Sequence, residues 1–258
     1  MATPTPATRV TRLAVLSDIH GNLAALEAVV ADLTPRQIDQ VVNLGDSVSG
    51  PLLPQETATY LLEQPWIHLA GNHERQLLTF APAALGPSDT YARAQLGSAA
   101  LGWLASLPAT QTIRDEVFLC HGTPAHDKTY FLETLEPAGM RPATAAEIAA
   151  RLGTIATAVV LCGHTHLPRS VRSSRGQLVV NPGSVGLPAF TDEEPYPHQV
   201  ETGSPDARYA IVERSAAGWT AQLITVPYDH RSMAALARQR GRHVWEQALL
   251  TGYVAPVR

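Results

Sequence analysis

Five short stretches of this chain set histidine, aspartate or asparagine directly after an apolar run. They are LSDIHGN at 16–22, NLGDS at 43–47, GNHE at 71–74, LCHGT at 119–123 and LCGHTH at 161–166. Between them they offer Asp18 and His20, Asp46, Asn72 and His73, His121, and His164 and His166, so five of the ten histidines fall in these motifs. Along a strand, positions i and i+2 point the same way. Asp18 and His20 could therefore grip one ion from one side, and His164 and His166 share a side in the same manner. Imidazole, carboxylate and one amide oxygen, with no thiolate among them, suit Mn, Fe, Zn, Co or Ni better than Ca or Mg. Each motif alone also reads as ordinary structure: Asp46 as a turn residue, Asn72 and His73 as helix caps, His121 as a core histidine, His164 and His166 as exposed on a hairpin. Brought to one place, these groups form a packing that no core adopts without a ligand.

Whether they meet depends on the elements that carry them. Strand and helix patterns alternate at the start: strand at 12–17, helix at 22–33, strand at 40–44, helix at 56–63, strand at 66–70. That order predicts an α/β sheet with parallel crossovers, whose strand ends converge on a ligand crevice. A helical pattern at 91–106 stops before Pro108, a hairpin is expected from 111–113 and 117–120 turning at Asp115 and Glu116, and 143–152 reads as helix. The pattern then becomes mostly β, at 158–162, 168–173, 177–181, 208–214 and 219–226, and closes on one or two helices at 230–251 interrupted near Gly241. The acidic, proline-containing segment 191–207 reads as a surface loop, either a plain insertion or a border of the site.

With 258 residues the chain can bury one sizeable core, and a single domain at 12–258 behind a disordered leader at 1–11 is expected. The leader lacks the apolar region of a signal peptide, and no apolar run approaches the roughly 18 residues of a membrane span. Two cysteines fit a reducing compartment, with cytoplasm the expected location. A net charge of −4 without a basic run gives no case for non-specific nucleic-acid binding. Arg231, Arg238, Arg240 and Arg242 form a basic terminal patch that reads as a solvated helix face. Homo-oligomerisation stays open.

The ordered series D-x-H, G-D, G-N-H-E, H-G and G-H-T-H resembles that of the calcineurin-like metallophosphoesterase superfamily over 12–186. The segment NPGSVG at 181–186 is similar to one in its compact bacterial phosphodiesterase branch. The resemblance implies a four-layer α/β/β/α sandwich of two mixed β-sheets flanked by helices. It also implies two divalent transition-metal ions, Mn favoured: one on Asp18, His20 and His166, the other on Asn72, His121 and His164, with Asp46 bridging. His73 would face the substrate phosphate rather than bind metal. The implied reaction is attack of a metal-bridging hydroxide on a small phosphodiester or phosphomonoester, nucleotide-like in character. His73 would protonate the leaving alkoxide or hydrogen-bond the transition state. Glu74 could orient His73 or serve as an N-terminal helix carboxylate.

The chain departs from two relatives within that superfamily. Protein serine/threonine phosphatases and symmetrical diadenosine tetraphosphate hydrolases carry an Asp-Arg-Gly after the Gly-Asp, whereas SVSGP follows Asp46 here, with no arginine at Ser49 or Gly50. Dinucleoside polyphosphate hydrolysis and protein dephosphorylation remain as alternatives, as does a catalytically silent scaffold, against which the full ligand set counts. Length beyond the most compact members lies in 80–110, 191–207 and the C-terminal tail, where substrate choice is expected to reside. Cys120 and Cys162, beside the ligand motifs, read as small buried strand residues or as a redox pair gating the site. Arg75, His126 and Tyr130 could line the pocket or lie on the surface.

Overall fold

The computed structural model describes residues 11–254, so the expected leader lies, but for Thr11, outside the described residues. Its first half runs β1 (Arg12–Leu16), α1 (Leu23–Leu33), β2 (Gln40–Asn43), α2 (Pro54–Leu62), β3 (Ile67–His68), α3 (Asn72–Thr79), α4 (Pro87–Gln95), α5 (Ser98–Ser106), β4 (Thr110–Ile113) and β5 (Val117–Cys120). There follow β6 (Glu133–Glu136), β7 (Gly139–Pro142), α6 (Ala145–Leu152), β8 (Val159–Leu161), β9 (Arg169–Arg172), β10 (Leu178–Asn181), β11 (Ala189–Asp192) and β12 (His198–Glu201). The chain ends with β13 (Ala207–Ser215), β14 (Gly218–Val226), α7 (His230–Gln239) and α8 (His243–Thr251).

Alternation along the strands explains the layers. On β1, Leu13 and Val15 join Val117, Leu119, Val159, Leu161, Leu178 and Val180 in one cluster between two sheets. Ala14 and Leu16 turn the other way and pack beneath Leu26, Val29 and Leu33 of α1. A strand buried on both faces reads as the continuous apolar run seen at 13–16. The first sheet has the order β14-β13-β1-β2-β3, with β1, β2 and β3 parallel and β13 antiparallel to β1. The second has the order β4-β5-β8-β10-β9, with β5, β8 and β10 parallel and antiparallel strands at both edges. Ile148 and Leu152 of α6 cover its outer face, packing on Cys120, Val160, Cys162 and Val179. The result is the expected α/β/β/α sandwich of mixed sheets.

Four segments differ from the sequence reading. The pattern at 91–106 is two helices, α4 and α5, because Gly97 between them is extended and its N–H is taken by Gln55 Oε1 at 2.7 Å. The hairpin between β4 and β5 turns at Arg114 and Asp115, one residue earlier than expected, with φ of 50° and 56° as a tight type I′-like turn needs. Strands β6 and β7 form a hairpin that the apolar pattern did not reveal. The segment 191–207 is not an irregular loop: β11 and β12 pair as a hairpin in which His198 and Val200 are buried and Gln199 and Glu201 exposed. No helix among the described residues is long and apolar enough to cross a membrane.

Candidate metal centre

Asp18, His20, Asp46, His164 and His166 all hold positive φ, between 52° and 69°. Side chains other than glycine rarely adopt that conformation, and each instance costs on the order of 1–3 kcal/mol. Among the described residues only Gln37, Arg114 and Asp115 join them as non-glycine cases. Strain concentrated on five of the expected ligands needs a frame that over-determines these loops, and one is present. Asp18 N donates to Gly45 O, His20 N to Asp46 O and Gly21 N to Ser47 O, each at 3.0 Å, so the turns after β1 and β2 are laced together. Glu74, on the first turn of α3, accepts three backbone N–H bonds: from Asp46 and Ser47 at 2.8 Å and from Gly71 at 2.7 Å. It ties α3 to the Asp46 turn; the group that orients His73 is a different one.

The NPGSVG segment fastens the other side. Asn181 Nδ2 donates to Gly163 O at 2.7 Å and Thr165 Oγ1 at 2.9 Å, bracketing His164. Ser184 Oγ donates to Asp18 O at 2.7 Å. Two glycines are fixed by proximity alone: a Cβ on Gly71 would overlap Asp46 Oδ1, and one on Gly163 would overlap Ser17 Oγ.

All eight expected residues meet at this edge. Asp18, His20 and His166 form one group able to hold a cation, and Asp46, His121 and His164 a second. Asn72 Oδ1 lies 3.1 Å from His121 Nε2, and Asp46 Oδ2 lies 3.0 Å from that same nitrogen. Asp18 Oδ1 stands 3.2 Å from His166 Nε2 and 3.9 Å from His121 Nε2, between the two groups.

Hydrogen bonds on the far side of each ring determine which nitrogen faces inward. His20 Nδ1 donates to Ser49 O at 2.7 Å, His166 Nδ1 to Leu187 O at 2.7 Å and His121 Nδ1 to Leu44 O at 3.0 Å. Backbone carbonyls only accept, so these three rings present Nε2 inward. His164 is reversed: Nε2 donates to Lys128 O at 3.1 Å, which leaves Nδ1 for the centre. His20 Nε2 and His166 Nε2 then face each other at 3.1 Å as two lone pairs. Asp18 Oδ1 is buried beside them with no hydrogen-bond donor. Two lone pairs and an orphaned carboxylate oxygen repel unless a cation lies among them, and this donor set fits one.

Electrostatics agree. Burial works against ionisation of Asp18, but His166 and His121 outweigh it and draw its pKa down to about 2. Asp46 is likewise held well below the usual carboxylate range, burial being overcome by His121, His73 and His20. Burial pushes His20 down to about 4 and His164 to about 3, which keeps both as neutral donors. His121 moves the other way: burial opposes its charge, yet Asp46 raises it to about 10. A proton there and a metal ion on the same nitrogen are competitors.

His73 sits beside the two groups, with its ring 5.5 Å from that of His20. Its partner is Asp89 from α4, whose Oδ1 lies 2.8 Å from His73 Nδ1 and also accepts from Ser49 Oγ at 2.6 Å. Burial opposes the imidazolium, but Asp46 and Asp89 raise His73 to about 9. Asp89 is only 3% exposed, and the sequence offered no motif for it. The same is true of the ring-orienting carbonyls of Leu44, Ser49, Lys128 and Leu187, since every residue carries one.

A cleft of about 930 Å³ opens over these groups. Beyond the expected ligands its walls include Phe80 and Asp89, Phe190 and Glu193 of the β11–β12 hairpin, and Arg242 and Trp245 at the start of α8. Each of the three segments expected to hold substrate choice thus reaches the cleft. Tyr130 packs its ring 5.0 Å from His164 and shares a 2.8 Å hydrogen bond with His198 Nε2. Arg75 pairs with Asp127 at 2.6 Å instead of lining the cleft, and His126 is exposed. Cys120, the last residue of β5, and Cys162, just past β8, are free and buried, and burial raises both thiol pKa values.

A family model described as the calcineurin-like phosphoesterase superfamily domain matches residues 12–202. An uncharacterized protein of Methanocaldococcus jannaschii is 27% identical over 199 residues, 68% of this chain and 76% of its own. A metallophosphoesterase from Sphaerobacter thermophilus is similar in structure with a TM-score of 0.72 at 27% identity, covering 95% of this chain and 100% of that one. A hypothetical protein from Pyrococcus horikoshii OT3 reaches a TM-score of 0.70 at 18% identity, covering 95% and 99% of the two chains, a likeness of fold.

Proposed function

The chain belongs to the calcineurin-like phosphoesterase superfamily, and from that premise we propose that it hydrolyses small, nucleotide-like phosphodiesters or phosphomonoesters with two divalent transition-metal ions. The observation that carries this reading is the pair of buried three-residue groups, Asp18–His20–His166 and Asp46–His121–His164, with lone pairs turned inward and Asp18 Oδ1 left without a donor. Asp18, His20 and His166 would hold one cation, and His121, His164 and Asn72 the other. Asp46, whose Oδ2 lies 3.0 Å from His121 Nε2, would be shared between the two. Such ions, Mn favoured, supply Lewis acidity toward a phosphoryl oxygen and a hydroxide nucleophile near neutral pH.

The chain's own residues do the rest. Asp89 fixes the His73 ring through Nδ1, leaving Nε2 free to meet the substrate. Because its pKa is raised to about 9, His73 is an imidazolium at neutral pH. It can therefore give a proton to a departing alkoxide or stabilise its charge. Phe80, Phe190 and Trp245 supply apolar and aromatic walls suited to a planar group such as a nucleobase.

The test uses the purified chain, dialysed against chelator and then supplied with Mn²⁺, with bis(4-nitrophenyl) phosphate and 4-nitrophenyl phosphate as substrates. Turnover that appears with Mn²⁺ and vanishes with chelator is expected. No turnover of either ester with Mn, Fe, Co, Ni or Zn would reject the reading in favour of a silent scaffold.

A further inference from the structure

Among the described residues lining the cleft, the basic side chains outside the candidate metal groups each have a carboxylate partner but for one. Lys128 pairs with Glu194 at 3.2 Å and His243 with Glu246 at 3.1 Å. Arg242, at the start of α8, lines the same cleft half-buried and has no carboxylate partner among the described residues. Its one side-chain hydrogen bond runs from Nη2 to Ser88 Oγ at 3.1 Å. Partial burial draws its pKa down, with no carboxylate acting against that. A guanidinium kept partly out of water without a counter-charge is suited to receive one from a ligand.

Its location says which part of the ligand. Ser88 precedes Asp89, and Asp89 holds His73, so Arg242 lies on the wall that carries the group proposed to protonate the leaving oxygen. The β11–β12 hairpin contributes Asp192 and Glu193 to the same cleft. Those carboxylates repel a second negative charge, whereas the Arg242 guanidinium attracts one. The cleft, at about 930 Å³, stands near the top of the range for small-molecule sites and has room well beyond one phosphoryl group.

We infer that Arg242 is a specificity-determining residue that binds a second anionic group, a phosphate or diphosphate, carried by the leaving portion of the substrate. The substrate class is then a phosphoester whose leaving group is itself a nucleotide or sugar phosphate rather than a neutral alcohol. This inference rests on the phosphoesterase reading above and narrows it.

The test compares matched probes that differ only in that anion: adenosine 3′-phosphate with adenosine 3′,5′-bisphosphate, and the dinucleotide ApA with its 5′-phosphorylated form pApA. The Mn²⁺-loaded chain is expected to favour the doubly anionic member of at least one pair by about tenfold or more in kcat/KM, the scale of a charge-assisted hydrogen bond. Arg242→Ala should remove that ratio, Arg242→Lys keep part of it and Arg242→Glu invert it. Calorimetry with the two products gives a readout separate from turnover: AMP should bind more tightly than adenosine to the wild-type chain, and that difference should shrink in Arg242→Ala. A wild-type ratio near one in both pairs, or a ratio that survives Arg242→Ala, overturns the inference while hydrolysis of bis(4-nitrophenyl) phosphate still upholds the broader reading. Failure of that aryl ester as well, with every metal, overturns both.

Discussion

A histidine serves as ligand or as acid according to what its far nitrogen touches. His20, His121 and His166 each give Nδ1–H to a carbonyl, which leaves Nε2 to face a cation or, on His121, the proton that competes with it. His73 places Nδ1 against the Asp89 carboxylate, which together with Asp46 keeps the ring charged. The sign of the resulting pH dependence follows. His73 has its pKa raised from the ordinary 6.5 to about 9, so the imidazolium is complete below 6.5 and is lost as pH rises through about 9. Catalysis that needs this proton must fall on the alkaline side, and the cations proposed above would move that limb lower. Asp89→Asn removes the charge and keeps the shape. It should shift the alkaline limb to lower pH and reduce kcat about tenfold or more, in the range attributed to general acids, with both metals retained by elemental analysis. An unshifted limb would remove Asp89 from this role. His73→Ala should also keep metal and lose most turnover. The two histidine roles differ in legibility. The candidate groups that converge could be read from the chain because metal chemistry limits the residue types and strand ends limit the places. Asp89 could not, because it reaches His73 from a separate helix 16 positions later and resembles any helix-start carboxylate.

At the scale of elements, short parallel strands do the positioning and the turns after them carry the strain. The continuous apolar run of β1 and the helix period of α1 were visible in the sequence because both faces of the strand and one face of the helix are filled with aliphatic residues. The β11–β12 hairpin was hidden because the acidic turn 193–197 masks a strand whose buried positions are only His198 and Val200. The break between α4 and α5 was hidden because apolar residues continue in helical register across Gly97. Glu74 was legible as a helix-start carboxylate, but not as the clasp on the Asp46 turn, since its three donors come from two segments of the chain. Replacing it with Gln keeps one carbonyl acceptor and introduces an amide that cannot accept. At least one buried N–H then loses its partner, at about 1–3 kcal/mol. Glu74→Gln should therefore lower the Tm by several degrees and weaken metal retention, because the turn it secures carries Asp46. A variant with unchanged Tm and full metal content would show that the interstrand lacing holds the turn unaided.

For the molecule as a whole, the two sheets are stable through their shared apolar layer, while the edge they open toward the cleft is held by charges that need a counter-ion. In the chelated chain a proton can serve: His121, raised to about 10 chiefly by Asp46 against the opposing effect of burial, carries one at neutral pH. Its pKa lies above the value of 6.5 expected when unfolded, so this pairing stabilises the fold fully below about 6.5. The contribution is lost as pH rises toward 10, and His73 follows the same course toward 9. A metal ion replaces the proton on His121 and leaves the Asp46 carboxylate paired at any of these values. Binding at a free concentration of 100 Kd contributes about 2.7 kcal/mol per ion, or roughly 5–10 °C in Tm for a chain of this size. The Tm gap between Mn²⁺-loaded and chelated protein should thus widen from pH 6.5 to 8.5, because the chelated form weakens while the loaded form does not. Mn²⁺ binding in buffers of different ionisation enthalpy should also release close to one proton from His121. A gap that narrows with rising pH, or binding without proton release, would mean that the proton and the cation do not share that nitrogen.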